Sequence, residues 1–390
     1  MNVPSFPKTI RKSQSAAAVT VLALFVTLRW LIAAHHEISR WVVAGSTYTN
    51  PKSVAKYLYV FRHSNGYDGQ FYWRLAANPT HLNIASYLGV RLNSAYRLNR
   101  ILYPALAWLV AAGRVDFIAW SLVLVNLLSL FILVQMGVRV ATSNSLSAWW
   151  GLSFLLVPGI VGVLSRDLTD VLAVTFLLAG FLAARNERWL LSGLLLAGSL
   201  LTRESGLITI FAYGMVQAII SLRERRYFHP RCLTWVLPLT FLLAWQLVLL
   251  VDVHQMPLFV AANGNIGVPF VGFFTSVTHW FHPLHLHRLI EALVNVAQLI
   301  AFIALTSLAW RHWSRRRPAE FVAFLSAILV VVCETRAGWR WPFDLRYGIN
   351  VMILGWLFLL NSDSPSARKW ALLFVVPAVG LTVLLRIVVI

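Results

Sequence analysis

Apolar runs close to membrane-spanning length recur along the chain as far as its last residues, and they restrict the fold more than any other feature. They cover 16–34, 117–138, 149–164, 168–184, 189–201, 205–222, 233–251, 289–308, 321–333, 345–360 and 370–389. A bilayer core of about 30 Å takes roughly 20 apolar residues of helix to cross. Inside it every backbone N–H and C=O must be satisfied within the protein, which favours helices. Charged residues make up only 12% of the chain, hydrophobic residues 59%, and the mean hydropathy is +0.71. These features predict an all-α polytopic transmembrane bundle of about eleven spans, a single integral membrane domain over 1–390. A signal peptide followed by a soluble domain is not expected, because the apolar runs do not stop.

The net charge of +19 would suggest nucleic acid in a soluble chain. Here the basic residues fall mainly in short loops between apolar runs, where they orient helices and meet anionic lipid heads. Membrane lipids are therefore expected partners and nucleic acid is not. Lys8, Arg11 and Lys12 predict a cytoplasmic amino terminus, and the hairpins at 184–188, 223–231, 311–318 and 366–370 fall on the same side. The count closes only if 100–114 does not cross. Its apolar part of about twelve residues is roughly 18 Å of helix, so an interfacial or re-entrant helix is predicted. The loop 35–116 then lies outside with its interfacial helices, and the His- and aromatic-rich loop 252–288 is external too.

The spans carry no acid near their middles, unlike most ion-coupled transporters. Asn126, Gln246, Asn295 and Gln298 are the deeper polar residues and suit hydrogen bonds between helices. Charge gathers instead at the predicted outer helix ends: "NGYDGQFYWRLAANP" (65–79), "SRDLTD" (165–170), "TRES" (202–205) and "ETRAGWRWPFDLR" (334–346). Orientation does not account for arginines there, and guanidinium forks suit a phosphate or diphosphate head. Candidate ligands are Arg166, Arg203, Arg340 and Arg346, with the acids Asp167, Asp170 and Glu204.

Local readings compete at each point. Asp167 and Asp170, three apart at a helix start, suit capping. Arg203 and Glu204 suit a local ion pair, and Arg340 and Arg346 an aromatic interfacial belt. Asp68 suits a simple turn, although Tyr67, Gln70 and Tyr72 beside it are better sugar- or lipid-facing residues than solvent-loop ones. "HWFHPLHLH" (279–287) has no cysteine and no nearby acid, so no metal site is expected. Cys232 and Cys333 fall near opposite faces, too far apart for a disulfide.

"YDGQFYWRLAANP" (67–79), "AYRLNRILYPALAWLVAAG" (95–113), "SRDLTD" and "LLTRESGL" (200–207) resemble the GT-C superfamily of polytopic glycosyltransferases. The likeness is to bacterial members implicated in cell-surface glycopolymer formation, distantly similar to the second mannosyltransferase of GPI-anchor synthesis. It covers about the first 210 residues. The resemblance implies a polyprenyl-phosphate-linked sugar donor, a glycan, lipid or protein acceptor, inversion at the anomeric carbon, and an inner-membrane enzyme acting on the periplasmic or external face. It also implies that Asp68 is the catalytic base and that Tyr67, Gln70, Tyr72 and the outer arginines and acids contact substrate. Such donors need no nucleotide pocket, the chain has no glycine-rich phosphate loop, and no cofactor is expected. A transporter or flippase of lipid-linked sugars, or a non-catalytic envelope-assembly subunit, are the alternative readings.

Overall fold

The computed structural model describes residues 8–226, 229–259, 266–280, 286–339 and 344–388. These residues are overwhelmingly helical. The longer helices are α1 (Lys8–Ile32), α2 (Gly69–Ala77), α3 (Leu102–Val110), α4 (Ile118–Ser143), α5 (Pro158–Leu164), α6 (Asp170–Arg185) and α7 (Trp189–Thr202). They continue with α8 (Leu207–Arg223), α9 (Leu233–Val253), α10 (Val271–Trp280), α11 (Leu286–Arg311), α12 (Pro318–Val332), α13 (Ile349–Leu360) and α14 (Pro365–Val388).

Six described segments are long and apolar enough to cross a membrane: Ser13–Ile32, Val115–Ser143, Glu204–Arg223, Pro230–Val253, Arg288–Arg311 and Pro365–Val388. Trp189–Thr202, Pro318–Val332 and Ile349–Leu360 are apolar but shorter. The most apolar of these, α13, is buried on every side except at Asn350, as expected of a helix that is hydrophobic all round. By contrast α1, α9 and α14 expose broad apolar faces, among them Leu24, Leu28, Leu243, Leu247, Leu373 and Leu384, the surface a lipid-facing helix requires.

The predicted span 149–164 is not one helix. It divides into a 3-10 segment, Ala148–Leu155, and the short α5, and the chain is extended at Val157. Pro158 explains the break, since it removes an N–H and drives the residue before it out of the helical region. The segment 100–114 does contain a short helix, α3, whose nine residues span about 14 Å. It buries Tyr103, Pro104 and Ala107 and exposes Trp108, Leu109 and Val110.

Hydrogen bonds between segments fix the bundle. Asn126 of α4 donates to the Tyr103 hydroxyl at 2.9 Å, Gln246 of α9 to the Asn99 side chain at 2.9 Å, and Gln298 of α11 to Thr382 of α14 at 2.9 Å. The loop 35–116 adds a small parallel pairing of Ala44–Gly45 with Val60–Phe61. Gln70 knits it together: its amide oxygen accepts from Gly45 N–H and the Thr49 hydroxyl, and its NH2 donates to the carbonyls of Asn65 and Tyr67. Arg74 does the same for the next stretch, donating to the carbonyls of His81, Asn83 and Ala85.

Gly69 shows how tightly α2 is seated. A Cβ there would lie 2.7 Å from the carbonyl oxygens of both Val42 and Arg166, so a side chain is excluded by backbone on two sides. Gly69→Ala should therefore destabilise the protein by roughly 1–3 kcal/mol through overpacking, read as a lower midpoint in thermal unfolding of the detergent-solubilised chain. Intrinsic helix propensity alone favours alanine, so an unchanged or raised midpoint would refute the close seating.

Candidate functional site

Asp68 sits immediately before α2, where its carbonyl accepts the first helical hydrogen bonds, from Phe71 at 2.9 Å and Tyr72 at 3.3 Å. Its side chain makes no capping bond, so the carboxylate does not serve the local turn. It faces two arginines of the 3-10 segment Ala95–Arg100: Asp68 Oδ2 lies 2.7 Å from Arg97 Nη1 and 3.6 Å from Arg100 Nη1. In a 3-10 helix residues i and i+3 eclipse, which is why both guanidiniums reach the same acid. The Asp68 side chain is 13% exposed.

Arg100 joins Asp68 to the turn between α7 and α8. It clasps Glu204 with two parallel bonds, Nε to Oε2 at 3.0 Å and Nη2 to Oε1 at 2.8 Å. It also donates to the hydroxyls of Tyr72, at 2.6 Å, and Tyr96, and the Tyr96 hydroxyl in turn donates to Glu204 Oε1 at 2.5 Å. Burial opposes the Arg100 charge, yet Glu204, Tyr72 and Tyr96 overcome it and hold its pKa well above the usual value. Sequence reasoning missed Tyr96, Arg97 and Arg100 as site residues. The one available signal is their 1-2-5 spacing in "YRLNR".

A second pair lies alongside. Asp170, in the first turn of α6, meets Arg203 Nη1 at 2.5 Å, Arg203 Nε donates to Ser205 at 2.9 Å, and its guanidinium stacks 4.7 Å over the Tyr347 ring. The local Arg203–Glu204 pair that adjacency suggests is thus replaced by two longer-range pairs, Arg203–Asp170 and Arg100–Glu204. Arg166 lies over Tyr67, 4.3 Å from the ring centroid. Next to both pairs is a cavity of about 270 Å³, lined by the polar Tyr96, Glu204, Glu334 and Tyr347 and by the apolar Leu207, Ile208, Leu258 and Phe259. Its lining is mainly apolar and includes two carboxylates, Glu204 and Glu334.

Other predicted residues stand apart. Gln70 is completely buried and engaged by the loop, and Tyr72 is buried with its hydroxyl on Arg100, so each builds the site from behind. Asp167 does not cap α6. It adopts a left-handed backbone, φ 51°, is fully buried, and neither carboxylate oxygen has a hydrogen-bond partner among the described residues. Arg340 lies outside the described residues. Arg346 has its backbone in the turn Asp344–Gly348, with its side chain outside the description. His282 and His285 also fall outside, and among the described residues no group of three His, Cys, Asp or Glu is placed to hold a metal.

The run from Arg100 to the last residue, 100–390, matches a family described as "Predicted membrane protein (DUF2079)". The chain belongs to the DUF2079 family of predicted membrane proteins. No curated protein and no solved structure matches it. The match to DUF2079 takes in Arg100, Asp167, Asp170, Arg203 and Glu204, whereas Asp68 and Arg97 lie upstream of it.

Burial raises the Asp167 carboxyl pKa well above the ordinary range, with Arg29 offsetting only part of the shift. An acid whose folded pKa is raised holds its proton more tightly in the folded state. Its contribution therefore favours folding at low pH and is lost as pH rises past the ordinary carboxylate value. Asp167→Asn removes that loss and keeps a residue tolerant of the left-handed backbone. Its thermal midpoint should match the parent at acid pH and exceed it at pH 8. A variant less stable than the parent at pH 8 would show that Asp167 works as a paired carboxylate.

Proposed function

We propose that this DUF2079 member is a membrane-surface glycosyltransferase that moves a sugar from a polyprenyl-phosphate donor to an acceptor hydroxyl of a glycan, lipid or protein. The observation that carries this reading is the gathering of Asp68, Glu204 and Asp170 with Arg97, Arg100 and Arg203, beside a mainly apolar cavity that Tyr96 and Glu204 also line. Those elements match the parts of such a donor, a charged phosphate and a hydrocarbon tail.

The chemistry follows from the pairs. The acceptor oxygen attacks C1 as Asp68 takes its proton, and the C1–O bond to the lipid phosphate breaks with its electrons going to that phosphate. Positive groups at the leaving oxygen stabilise the charge that develops there. Arg97 and Arg100 already hold a carboxylate, so an incoming phosphate competes with Asp68 for them. Donor binding thereby loosens the ion pair on Asp68 and raises its basicity at the moment a base is required. Inversion at C1 follows from a single displacement. The reading places the amino terminus in the cytoplasm, the loop 35–116 on the external or periplasmic side of a bacterial inner membrane, and about eleven crossings in all. To the six long segments, α6, the three shorter apolar helices and the broken 149–164 segment would add the remaining five.

The test is incubation of the purified protein with a panel of polyprenyl-phosphate sugars, following transfer and slow hydrolysis. Turnover is expected with at least one donor. Asp68→Asn should lower the rate at least 10²-fold, the scale of a general base, while donor binding persists. Arg203→Ala should weaken donor binding more than acceptor binding. Parent-like turnover in Asp68→Asn removes the base role, and saturable donor binding without turnover across the panel favours a carrier of lipid-linked sugars.

A further inference from the structure

The other end of the bundle carries a different concentration of charge. The chain enters α4 and α6 at the Asp68 end and leaves them at Ser143 and Arg185, about 39 Å along in the case of α4. There Arg139 of α4, Arg185 of α6, Arg188 and Arg317 line one cavity of about 510 Å³, together with the side chains of Asn144 and Asn361. That volume is in the range of small-ligand sites. The residues lining it include four guanidiniums and no carboxylate.

The nearest acid only partly compensates. Glu320 is buried behind the cavity and is taken up by Arg185, with both contacts at 2.6 Å, leaving Arg317 at 3.9 Å. Arg317 Nη1 has no hydrogen-bond partner among the described residues. Burial, with Arg185 as the next contributor, lowers the Arg317 pKa from its usual value. Its positive charge is thus only partly balanced, because Glu320 is engaged first by Arg185. Arg139 and Arg188 make no ion pair with a described acid. Orientation by basic loops places arginines at this end, but it does not require four of them to converge on one cavity.

Arg139 also belongs to a second surface. A mainly apolar groove of about 330 Å³ runs along α4 beside Ile132, Gln135, Met136 and Val138 and includes Arg139 and Thr142. The polar cavity and the apolar groove therefore meet at one guanidinium. The polar cavity has no aromatic ring in its lining, so nothing there would stack on a nucleobase. Guanidinium forks match phosphate oxygens bidentately.

We propose that this arginine cavity binds the phosphate head of an anionic lipid, with an acyl chain lying in the groove along α4. The head brings an anion to Arg139 and Arg188, which pair with no described acid, and to Arg317, whose contact with Glu320 is long, and the chain covers apolar surface that continues from it. The site is separate from the Asp68 cluster and does not depend on the activity proposed for it.

The experiment uses the full chain, delipidated in detergent, with dioleoyl phosphatidic acid, dioleoyl phosphatidylcholine and inorganic phosphate as probes, binding being followed by native mass spectrometry. Phosphatidic acid should bind at least tenfold more tightly than phosphatidylcholine. The double variant Arg139→Gln/Arg188→Gln changes two exposed side chains outside the Glu320 pair. It should lose at least tenfold in affinity for phosphatidic acid while its unfolding midpoint without lipid stays at the parent value. Met136→Arg, placed in the groove, should weaken the lipid but not inorganic phosphate. Inorganic phosphate should compete only weakly, since it supplies the head without the chain. Competition equal to that of the lipid would assign the cavity to a soluble anion and overturn the lipid reading. Equal affinity of parent and double variant for phosphatidic acid would overturn the site itself.

Discussion

Arg100 is the contact on which the Asp68 end of the molecule depends. Its guanidinium is almost wholly buried and touches Asp68, Glu204, Tyr72 and Tyr96. Those partners come from the start of α2, the 3-10 segment Ala95–Arg100, and the turn joining α7 to α8. A buried guanidinium without partners is strongly unfavourable, and removing one partner from a buried pair typically costs about 3–5 kcal/mol. The three segments are therefore held to one mutual arrangement by a single side chain. Gly69 enforces the same arrangement sterically, because the backbone of Arg166 and Val42 leaves no room to shift.

This arrangement also explains why the long loop is ordered. Gln70 and Arg74 turn their polar ends onto loop carbonyls and N–H groups that would otherwise be buried without partners. Both project from α2, the helix that Asp68 begins. Folding the loop and orienting the acid are one event, with the aromatic body of α2 (Phe71, Tyr72 and Trp73 all buried) supplying the apolar surface. A carboxylate positioned this way is fixed by the helix it begins and by the arginines Arg97 and Arg100 that face it.

The helical membrane character was legible in the sequence because apolar length is a direct physical requirement of lipid. Asp68, Asp170, Arg203 and Glu204 were legible as a group for a related reason, since charge at the ends of apolar runs concentrates at one surface. Their pairing was not. Sequence adjacency favours Arg203 with Glu204, yet the chain turns between α7 and α8 so that each finds a partner more than 30 residues away. Arg97 and Arg100 resemble ordinary flanking charges, and only the 3-10 geometry aligns them on one acid. Gln70 looked like a surface ligand because its polarity is visible in sequence, whereas its four hydrogen bonds are not. The run 149–164 was long enough to read as one continuous helix, and Pro158 breaks it. Asp167 could not be separated from Asp170 by spacing, because its burial comes from the packing of the 165–169 turn against α2.

The two ends of the bundle use arginine under opposite charge balances. At the Asp68 end each guanidinium of the cluster faces an acid: Arg97 and Arg100 meet Asp68, Arg100 meets Glu204, and Arg203 meets Asp170. Such a network holds its shape in the absence of ligand, and an incoming anion must displace a carboxylate to bind. Affinity is reduced by that competition, and in exchange an acid is released beside the ligand, which suits chemistry that needs a base. At the other end four guanidiniums share a cavity without an acid in its lining. An anion there displaces only water and relieves repulsion among like charges, so binding is favoured and no base is released. Under the two proposed roles, the same side chain would serve turnover where an acid balances it and retention where the cavity lining holds no acid, and the distinction lies in where the acids are.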